Sequence, residues 1–458
     1  MPRKRTQLRK TGNHRSFPSY PEMHVVLNRI QRYSPGGAGN RRAGGGRRGS
    51  TVNDQRILHL CARPTGTPEQ YSLLRRVCDT TAANWESLLH QAERQGMIPL
   101  LHQHLKKSGA TYPVHIGRNL TILERQLHHR SMVLTGVLHE VSALLAKASM
   151  HPIFLKGSVL RHTVYKDPRL RPMRDIDLLL TRKDAETAQK LLIEQGFEQS
   201  KIVIPADHFH LLALSRRENG VTITIEIHHG LYPPCPPWYK QPPVADFVER
   251  GKVFDAGGRD LLSMGDVDML RYLYQHAIRT PLVYESFRLI NIADIIGQVE
   301  TCFDTIDWRS LGERYPQLLN GLPLLHRVVP WRSDIAEYFR ISRYNGRLNR
   351  PPHSFNGWPT VKFRQQRSRG GSVMDLMRAT FFPSLWWLRI YYGVSSWVSV
   401  AWCLLVTHPR HILWWYHLHY AYLITPEQSQ TAEGAGQTTP LWLAKPMALL
   451  HKLAGKLR

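Results

Sequence analysis

The fold is decided by residues 152–180, which read PIFLKGSVLRHTVYKDPRLRPMRDIDLLL. Residues 153–155 predict a buried strand, and Gly157-Ser158 predicts a tight turn into a short helix. A loop that contains proline then leads to a second strand, which carries Asp175 and Asp177. Because the side chains of a strand alternate between its two faces, both carboxylates point to the same side, and the apolar side chains between them point to the core.

Two neighbouring carboxylates on an apolar strand repel each other, and burial increases the repulsion. A divalent cation relieves it, and hard oxygen ligands favour Mg²⁺. The Gly157-Ser158 turn adds a second part of a site, since the free N–H groups and the dipole at a helix start attract phosphate. A phosphate-binding turn close to an Asp-x-Asp pair predicts nucleotide chemistry.

The motifs of this stretch resemble those of the uncharacterised nucleotidyltransferase-like proteins, a bacterial branch of the DNA polymerase beta superfamily. That branch has Lys-Gly followed by a small residue, then a Tyr, and then Arg-x-x-x-Asp-(Ile/Val)-Asp. The matching residues here are Lys156-Gly157-Ser158, Tyr165 and RPMRDID at 171–177. The resemblance extends over residues 120–296 and is weak outside them.

The resemblance implies an α+β fold, with a small mixed β-sheet nucleotidyltransferase core flanked by helices and a mainly helical C-terminal region. It implies that Asp175 and Asp177 are catalytic and bind Mg²⁺ together with a third carboxylate on a later strand. Glu226 matches that third position. Residues 221–228 alternate between apolar and polar side chains, and Glu226 lies on the polar face.

Further residues are candidate nucleotide ligands, namely Lys156, Gly157, Ser158, Arg171 and Arg174. The turn would bind the β- or γ-phosphate, and the basic side chains would clamp phosphate oxygens. Each assignment has an alternative. The aspartates could form a solvent-facing strand end, the turn could be an ordinary connection, Glu226 could be an exposed strand position, and the arginines could be surface or carboxylate-paired residues.

Histidines near these motifs have no metal-binding spacing, and we interpret them as mostly structural or solvated. They are His208, His210, His228 and His229. The resemblance also reaches a helical part, in which residues match the family in kind but receive no role. These are His276, Arg288 and Asp294.

Composition limits the class of protein and its partners. The chain has 458 residues, of which 42% are hydrophobic and 21% charged, typical of a soluble globular protein with two to three domains. The net charge of +26 favours an anionic partner, which could be a nucleoside triphosphate, RNA or an anionic membrane. Of the five cysteines none lies in a close pair, which predicts free thiols in a reducing cytoplasm.

The basic excess is concentrated in the flanks. Residues 1–50 contain twelve Lys/Arg against one acid, and their Gly/Arg-rich run predicts disorder. This segment is either a solvated tail or an over-extended gene start, or it is an arm that contacts RNA or a membrane.

We predict a succession of regions along the chain. They are a disordered basic tail (1–55), an N-terminal helical region (56–150), the nucleotidyltransferase catalytic core (151–245), a helical domain (246–330), a basic linker (331–372) and an aromatic-rich helical C-terminal region (373–458). Residues 390–406 lack charge over seventeen positions, the short limit for a membrane span. We favour peripheral or core packing of this segment over insertion.

The sequence thus predicts a Mg²⁺-dependent nucleotidyltransferase that moves a nucleoside monophosphate from a nucleoside triphosphate, such as ATP, to an unidentified acceptor hydroxyl or protein. The alternative is a catalytically inactive scaffold of the same fold, which binds nucleotide or RNA and associates with a membrane. The predicted location is the cytoplasm, with a peripheral position at the inner membrane as the second option.

Overall fold

The computed structural model describes residues 47–80, 83–201, 204, 208–232, 242–279, 287–341, 374 and 380–414. Most of the predicted basic tail, most of the predicted linker and the C-terminal end after residue 414 therefore lie outside the described residues. The buried cysteines Cys61, Cys78, Cys302 and Cys403 are free thiols.

A group of helices precedes the sheet. It comprises α1 (Arg47–Leu60), α2 (Pro68–Thr80), α3 (Trp85–Gln95), α4 (Ile98–Ser108) and α5 (Val114–Lys147). The apolar stripe of α5, which includes Leu134, Leu138 and Val141, is buried in the core. Gly96 ends α3 in the left-handed conformation, with φ of 74°, which a residue without a Cβ adopts at little cost. The helices therefore form one wall of the core.

The described residues form one sheet of seven strands in the order β3-β4-β5-β2-β1-β7-β6. The strands are β1 (Ile153–Phe154), β2 (Ile176–Leu179), β3 (Glu198–Gln199), β4 (Leu214–Glu218), β5 (Val221–His228), β6 (Lys252–Asp255) and β7 (Asp260–Ser263). The central strand β2 runs antiparallel to β1 and parallel to β5, whereas β1 runs parallel to β7. The mixed α+β fold predicted from the sequence is confirmed.

Strands β6 and β7 lie within residues 246–330, a region predicted to be helical. Each has only four residues, and Gly257 and Gly258 join them with φ of 83° and 93°. Strands this short give too weak an alternation to be recognised against the helices around them. They complete the sheet because β7 pairs with β1.

Further helices surround the sheet and continue after it. They are α6 (Gly157–Thr163), α7 (Arg182–Glu194), α8 (Val244–Glu249), α9 (Asp266–Ala277), α10 (Leu289–Cys302), α11 (Trp308–Arg314), α12 (Pro316–Gly321), α13 (Ser333–Tyr338), α14 (Leu385–Tyr392) and α15 (Trp397–Trp402). Helix α14 belongs to the body of the protein. The hydroxyl of Tyr274 on α9 donates to the carbonyl of Ile390 at 2.6 Å, and a Cβ on Gly393 would overlap the backbone of Gln317.

In the part of the chain that the structure describes, no single helix has the length and apolarity needed to cross a membrane. Leu385–Tyr392 and Trp397–Trp414 meet both criteria only as a pair, with a 95° bend between them.

Candidate functional site

The pairing of β2 with β5 places Asp177 directly opposite Glu226. Both side chains lie on one face of the sheet, because the residues on either side of each pack into the core. Asp175 precedes β2 by one residue and shares the face of Asp177. Its carboxylate interacts electrostatically with those of Asp177 and Glu226. The structure thus brings the three predicted carboxylates together from two strands that are distant in the sequence.

Two nitrogen donors, one from Lys156 and one from His228, meet on one oxygen of Asp177. Lys156 Nζ and His228 Nε2 each lie 3.0 Å from Asp177 Oδ1, and His228 Nε2 is also 3.6 Å from Glu226 Oε2. Asp177 and His228 are almost fully buried, whereas 29% of the Glu226 side chain is exposed. Glu226 is therefore the carboxylate of this pair that a ligand reaches from solvent.

The acidic groups differ strongly in proton affinity. Burial and the neighbouring charge of Asp177 raise the pKa of Asp175 to about 6. Burial would also raise the pKa of Asp177, but Lys156 and His228 outweigh it and hold that pKa well below its usual range. For Glu226, too, the effect of burial is outweighed, chiefly by the hydrogen bond from His228, and the pKa is lowered. The negative charge of the site is therefore stabilised mainly on Asp177 and Glu226.

Asp177, Glu226 and His228 each offer a ligand atom, and these atoms lie within 4.8 Å of one another. A sequence model of the uncharacterised nucleotidyltransferases matches residues 81–321, which is more than half of the 458-residue chain. The chain belongs to the uncharacterised nucleotidyltransferase family. This confirms the family predicted from the sequence motifs, and it supports a nucleotidyltransferase-type function. Comparison of the chain with curated proteins and with solved structures found no match.

In this family member the turn after β1 has an unusual backbone. Lys156 has φ of 48° and ψ of −124°, a conformation that L residues rarely adopt and that is often found at functional sites. The bend directs the Lys156 ammonium to Asp177. Burial would lower the pKa of Lys156, but Asp177 and the other acidic groups outweigh it and hold the pKa well above its ordinary value. Lys156 is therefore an ammonium ion within the acidic site.

The other two residues of the turn have structural contacts. The hydroxyl of Ser158 is buried and donates to the carbonyl of Leu155 at 2.6 Å, which closes the turn. Gly157 is the first residue of α6, and a Cβ at this position would lie 3.4 Å from Nη1 of Arg171. Any contact of Gly157 or Ser158 with phosphate would therefore use their backbone N–H groups.

Arg171 is paired with a carboxylate, which was the alternative to its predicted role as a phosphate clamp. Its Nε and Nη2 each donate to Asp294 at 2.8 Å, and its Nη1 donates to the carbonyl of Pro172 at 3.1 Å. Tyr165 donates its hydroxyl to the same carboxylate, also at 2.8 Å. Because Arg171 also lies against Gly157, this buried group connects the turn to α10 and supports the position of the turn.

The structure places the tip of Arg174 at the end of α3. A Cβ on Gly96 would lie 3.3 Å from Arg174 Nη2, and the Arg174 carbonyl accepts a hydrogen bond from Arg130 at 2.9 Å. The role of Arg174 in nucleotide binding stays a prediction.

Three residues that complete the site, His228, Tyr272 and His276, have no functional role in the sequence-based prediction. His228 is buried, as a structural histidine would be, but it also contacts Asp177. Its place in the site could have been predicted, because it lies two positions after Glu226 and so on the same face of β5. Tyr272 and His276 on α9 interact with Lys156 and Asp177. Burial and the charge of Lys156 lower the pKa of His276 to about 3, so its imidazole is neutral. No local pattern in α9 marks Tyr272, whereas His276 was named as a residue that matches the family in kind but received no role.

Proposed function

We propose that the chain is a Mg²⁺-dependent nucleotidyltransferase. The acceptor oxygen forms a bond to the α-phosphorus of a nucleoside triphosphate, the bond from that phosphorus to the bridging oxygen of the β-phosphate breaks, and pyrophosphate leaves while the acceptor loses its proton. The observation that carries the proposal is the register of β2 and β5, which aligns Asp177 with Glu226 beside Asp175.

The donor set fits a hard divalent cation. Asp175, Asp177 and Glu226 supply carboxylate oxygens, and the ligand atoms of Asp177, Glu226 and His228 lie within 4.8 Å of one another. When bound, Mg²⁺ would neutralise the phosphates and lower the pKa of the acceptor hydroxyl. Imidazole is a poorer ligand for Mg²⁺ than carboxylate, so His228 serves better as the donor that orients Asp177.

The residues of the chain divide the remaining work. His228 fixes Asp177, and Glu226 presents its partly exposed carboxylate to the acceptor, from which it is the candidate to receive the proton. The ammonium of Lys156 can exchange Asp177 for a phosphate oxygen, because both are anionic acceptors. Backbone N–H groups of Gly157 and Ser158 would bind the β- or γ-phosphate, on a turn held by Arg171.

The test measures pyrophosphate release and transfer of label. Purified full-length protein is incubated with each α-labelled nucleoside triphosphate and Mg²⁺, alone and with a cell lysate. Asp177→Asn and Glu226→Gln should each lower the rate by at least about 100-fold, since each removes a charge on which the reaction depends. Asp260→Asn is the matched control, because Asp260 is an exposed carboxylate on β7 of the same sheet. Activity that survives Asp177→Asn would contradict the proposal.

One observation favours the second candidate, a scaffold that binds nucleotide without turning it over. Lys156 and His228 both donate to Asp177 Oδ1, so the protein itself supplies an ammonium and a second hydrogen-bond donor to a carboxylate that is almost fully buried. Tight binding of a triphosphate in the presence of EDTA, with no pyrophosphate release when Mg²⁺ is added, would support this candidate.

A further inference from the structure

The outward face of α15 is apolar where a water-facing helix is expected to be polar. Trp397, Val398, Trp402 and Leu405 have exposed fractions of 62%, 81%, 63% and 75%. At 100° per residue these side chains fall within an arc of about 140°. Two exposed tryptophans and two exposed aliphatic residues on one face form a patch of the kind that marks an interaction site.

The opposite face of the same helix is buried, which fixes the direction of the outward face. Helix α15 continues through a π-helical turn, Cys403–Thr407, and the structure describes the helical segment as far as Trp414. Its inner side includes Val400, Cys403 and His408, and the Tyr392 hydroxyl lies 2.9 Å from His408 Nδ1. A rotation of the helix that buried the tryptophans would therefore break these contacts and expose the residues that are now inside.

The charges around this face identify its partner. Between Asp375 and Glu427 the sequence contains no Asp or Glu, but it contains arginines. The guanidinium of Arg389 lies 5.2 Å from the ring centroid of Trp397, and Arg410 is exposed near the other end of the helix. Tryptophans next to arginines in a segment without acids are typical of the interface between an anionic bilayer and water.

The packing of α14 limits how the protein can bind such a bilayer. Trp386 and Ile390 are only 1% and 0% exposed, and the backbone carbonyl of Ile390 accepts the hydrogen bond from the Tyr274 hydroxyl. Insertion of α14 would expose this part of the core. A helix that lies flat on the membrane keeps α14 in place and buries only the outward side of α15.

We propose that Trp397, Val398, Trp402 and Leu405 form a membrane-docking face, which lies in the headgroup region of an anionic lipid bilayer. The occupant is a lipid surface and not a second copy of the chain, since two molecules with a net charge of +26 each repel one another. The face is separate from the carboxylate site, so this inference does not depend on the proposed chemistry.

The experiment is co-sedimentation of the full-length protein with phosphatidylcholine vesicles, with and without phosphatidylglycerol, at low and high salt. We expect binding that requires the anionic lipid and partly persists at high salt, because the apolar contribution is not screened. Trp397→Ser combined with Trp402→Ser and Leu405→Ser should lower the partition coefficient by at least about tenfold at either salt concentration. Val253→Ser is the matched control, since Val253 is 68% exposed on β6 and should bind as the wild type does.

Several results would overturn the inference. One is wild-type protein that binds neither vesicle, and another is a triple variant that binds as tightly as the wild type, which would assign binding to the basic tail. A third is a wild-type dimer in solution that the triple substitution converts to a monomer, because a second copy would then cover the face. Circular dichroism and the thermal midpoint of the triple variant should match those of the wild type, since the substituted side chains lie outside the core.

Discussion

Replacement of Arg171 by methionine tests whether this guanidinium is committed to Asp294 or is available to a nucleotide. Methionine keeps much of the aliphatic volume but removes every donor. Asp294 is 1% exposed and accepts hydrogen bonds from three side-chain groups, namely Arg171 Nε, Arg171 Nη2 and the Tyr165 hydroxyl. In the variant only the Tyr165 hydroxyl would remain.

The expected magnitude follows from burial. Arg171 is 9% exposed, so solvent screens the pair little. Removal of one partner from a buried ion pair costs about 3–5 kcal/mol, because the other charge stays in a medium that solvates it poorly. Adding Asp294→Asn removes that charge and keeps an acceptor for Tyr165. The double variant should therefore recover about 2 kcal/mol or more of the loss.

Urea unfolding followed by circular dichroism measures the free energy of unfolding of each variant. The values are comparable if the slope of this free energy with urea concentration is the same in all variants. Arg171→Lys is the control for charge, since it keeps the positive charge but loses the fork, and its loss should lie between those of the wild type and Arg171→Met. A loss below about 1 kcal/mol for Arg171→Met, or strict additivity of the two substitutions, would refute the reasoning and return Arg171 to the candidate phosphate ligands.

Other substitutions test separate parts of the structure. Lys156→Met should tighten Mn²⁺ binding in calorimetry by at least about tenfold, because it removes a cation from the carboxylates, whereas Lys156→Arg should not; equal affinities would contradict a competition between ammonium and metal. Burial lowers the pKa of His104 from 6.5 to about 4, so the unfolded chain takes up the proton first, and stability present above pH 6.5 should decline by up to about 3 kcal/mol as the pH falls towards 4. His104→Gln should flatten this part of the stability profile, and an unchanged slope would show that other groups produce it. Gly393→Ala should lower the free energy of unfolding by about 3 kcal/mol or more, because the new Cβ would overlap the backbone of Gln317 and φ is 65°. Gly109→Ala is the control, because its φ of 62° is similar but the space around it is open, so it measures the cost of the backbone conformation alone. Equal losses of stability in the two variants would argue against the overlap.

The sequence is sufficient to predict those features of the candidate site that depend on neighbouring residues of one strand. Alternation along residues 221–228 places Glu226 on the polar face of a strand, and the same rule applied two positions further would have found His228. The resemblance to the family supplied the step that alternation cannot, namely that this strand lies beside the one with Asp177. A parallel pairing between strands that are not consecutive leaves no local signal.

Contacts over long sequence distances were not predictable. Arg171 and Asp294 are 123 residues apart, and nothing near either residue indicates its partner. Tyr272 and His276 reach the site only because α9 packs over it, and their spacing matches any buried helix. Nor does the sequence show that the ammonium of Lys156 turns towards Asp177, since this depends on a positive φ at a residue that is not glycine.

The position of β1 between β2 and β7 has a consequence for the design of shorter recombinant fragments. A fragment that stops at residue 245, where the catalytic core was predicted to end, leaves one edge of β1 without its hydrogen-bonding partner, and a bare sheet edge promotes aggregation. The same fragment also lacks Asp294, so Arg171 loses the carboxylate with which it is paired. We therefore expect that a soluble fragment of this protein must extend beyond Cys302, so that it includes both β7 and Asp294.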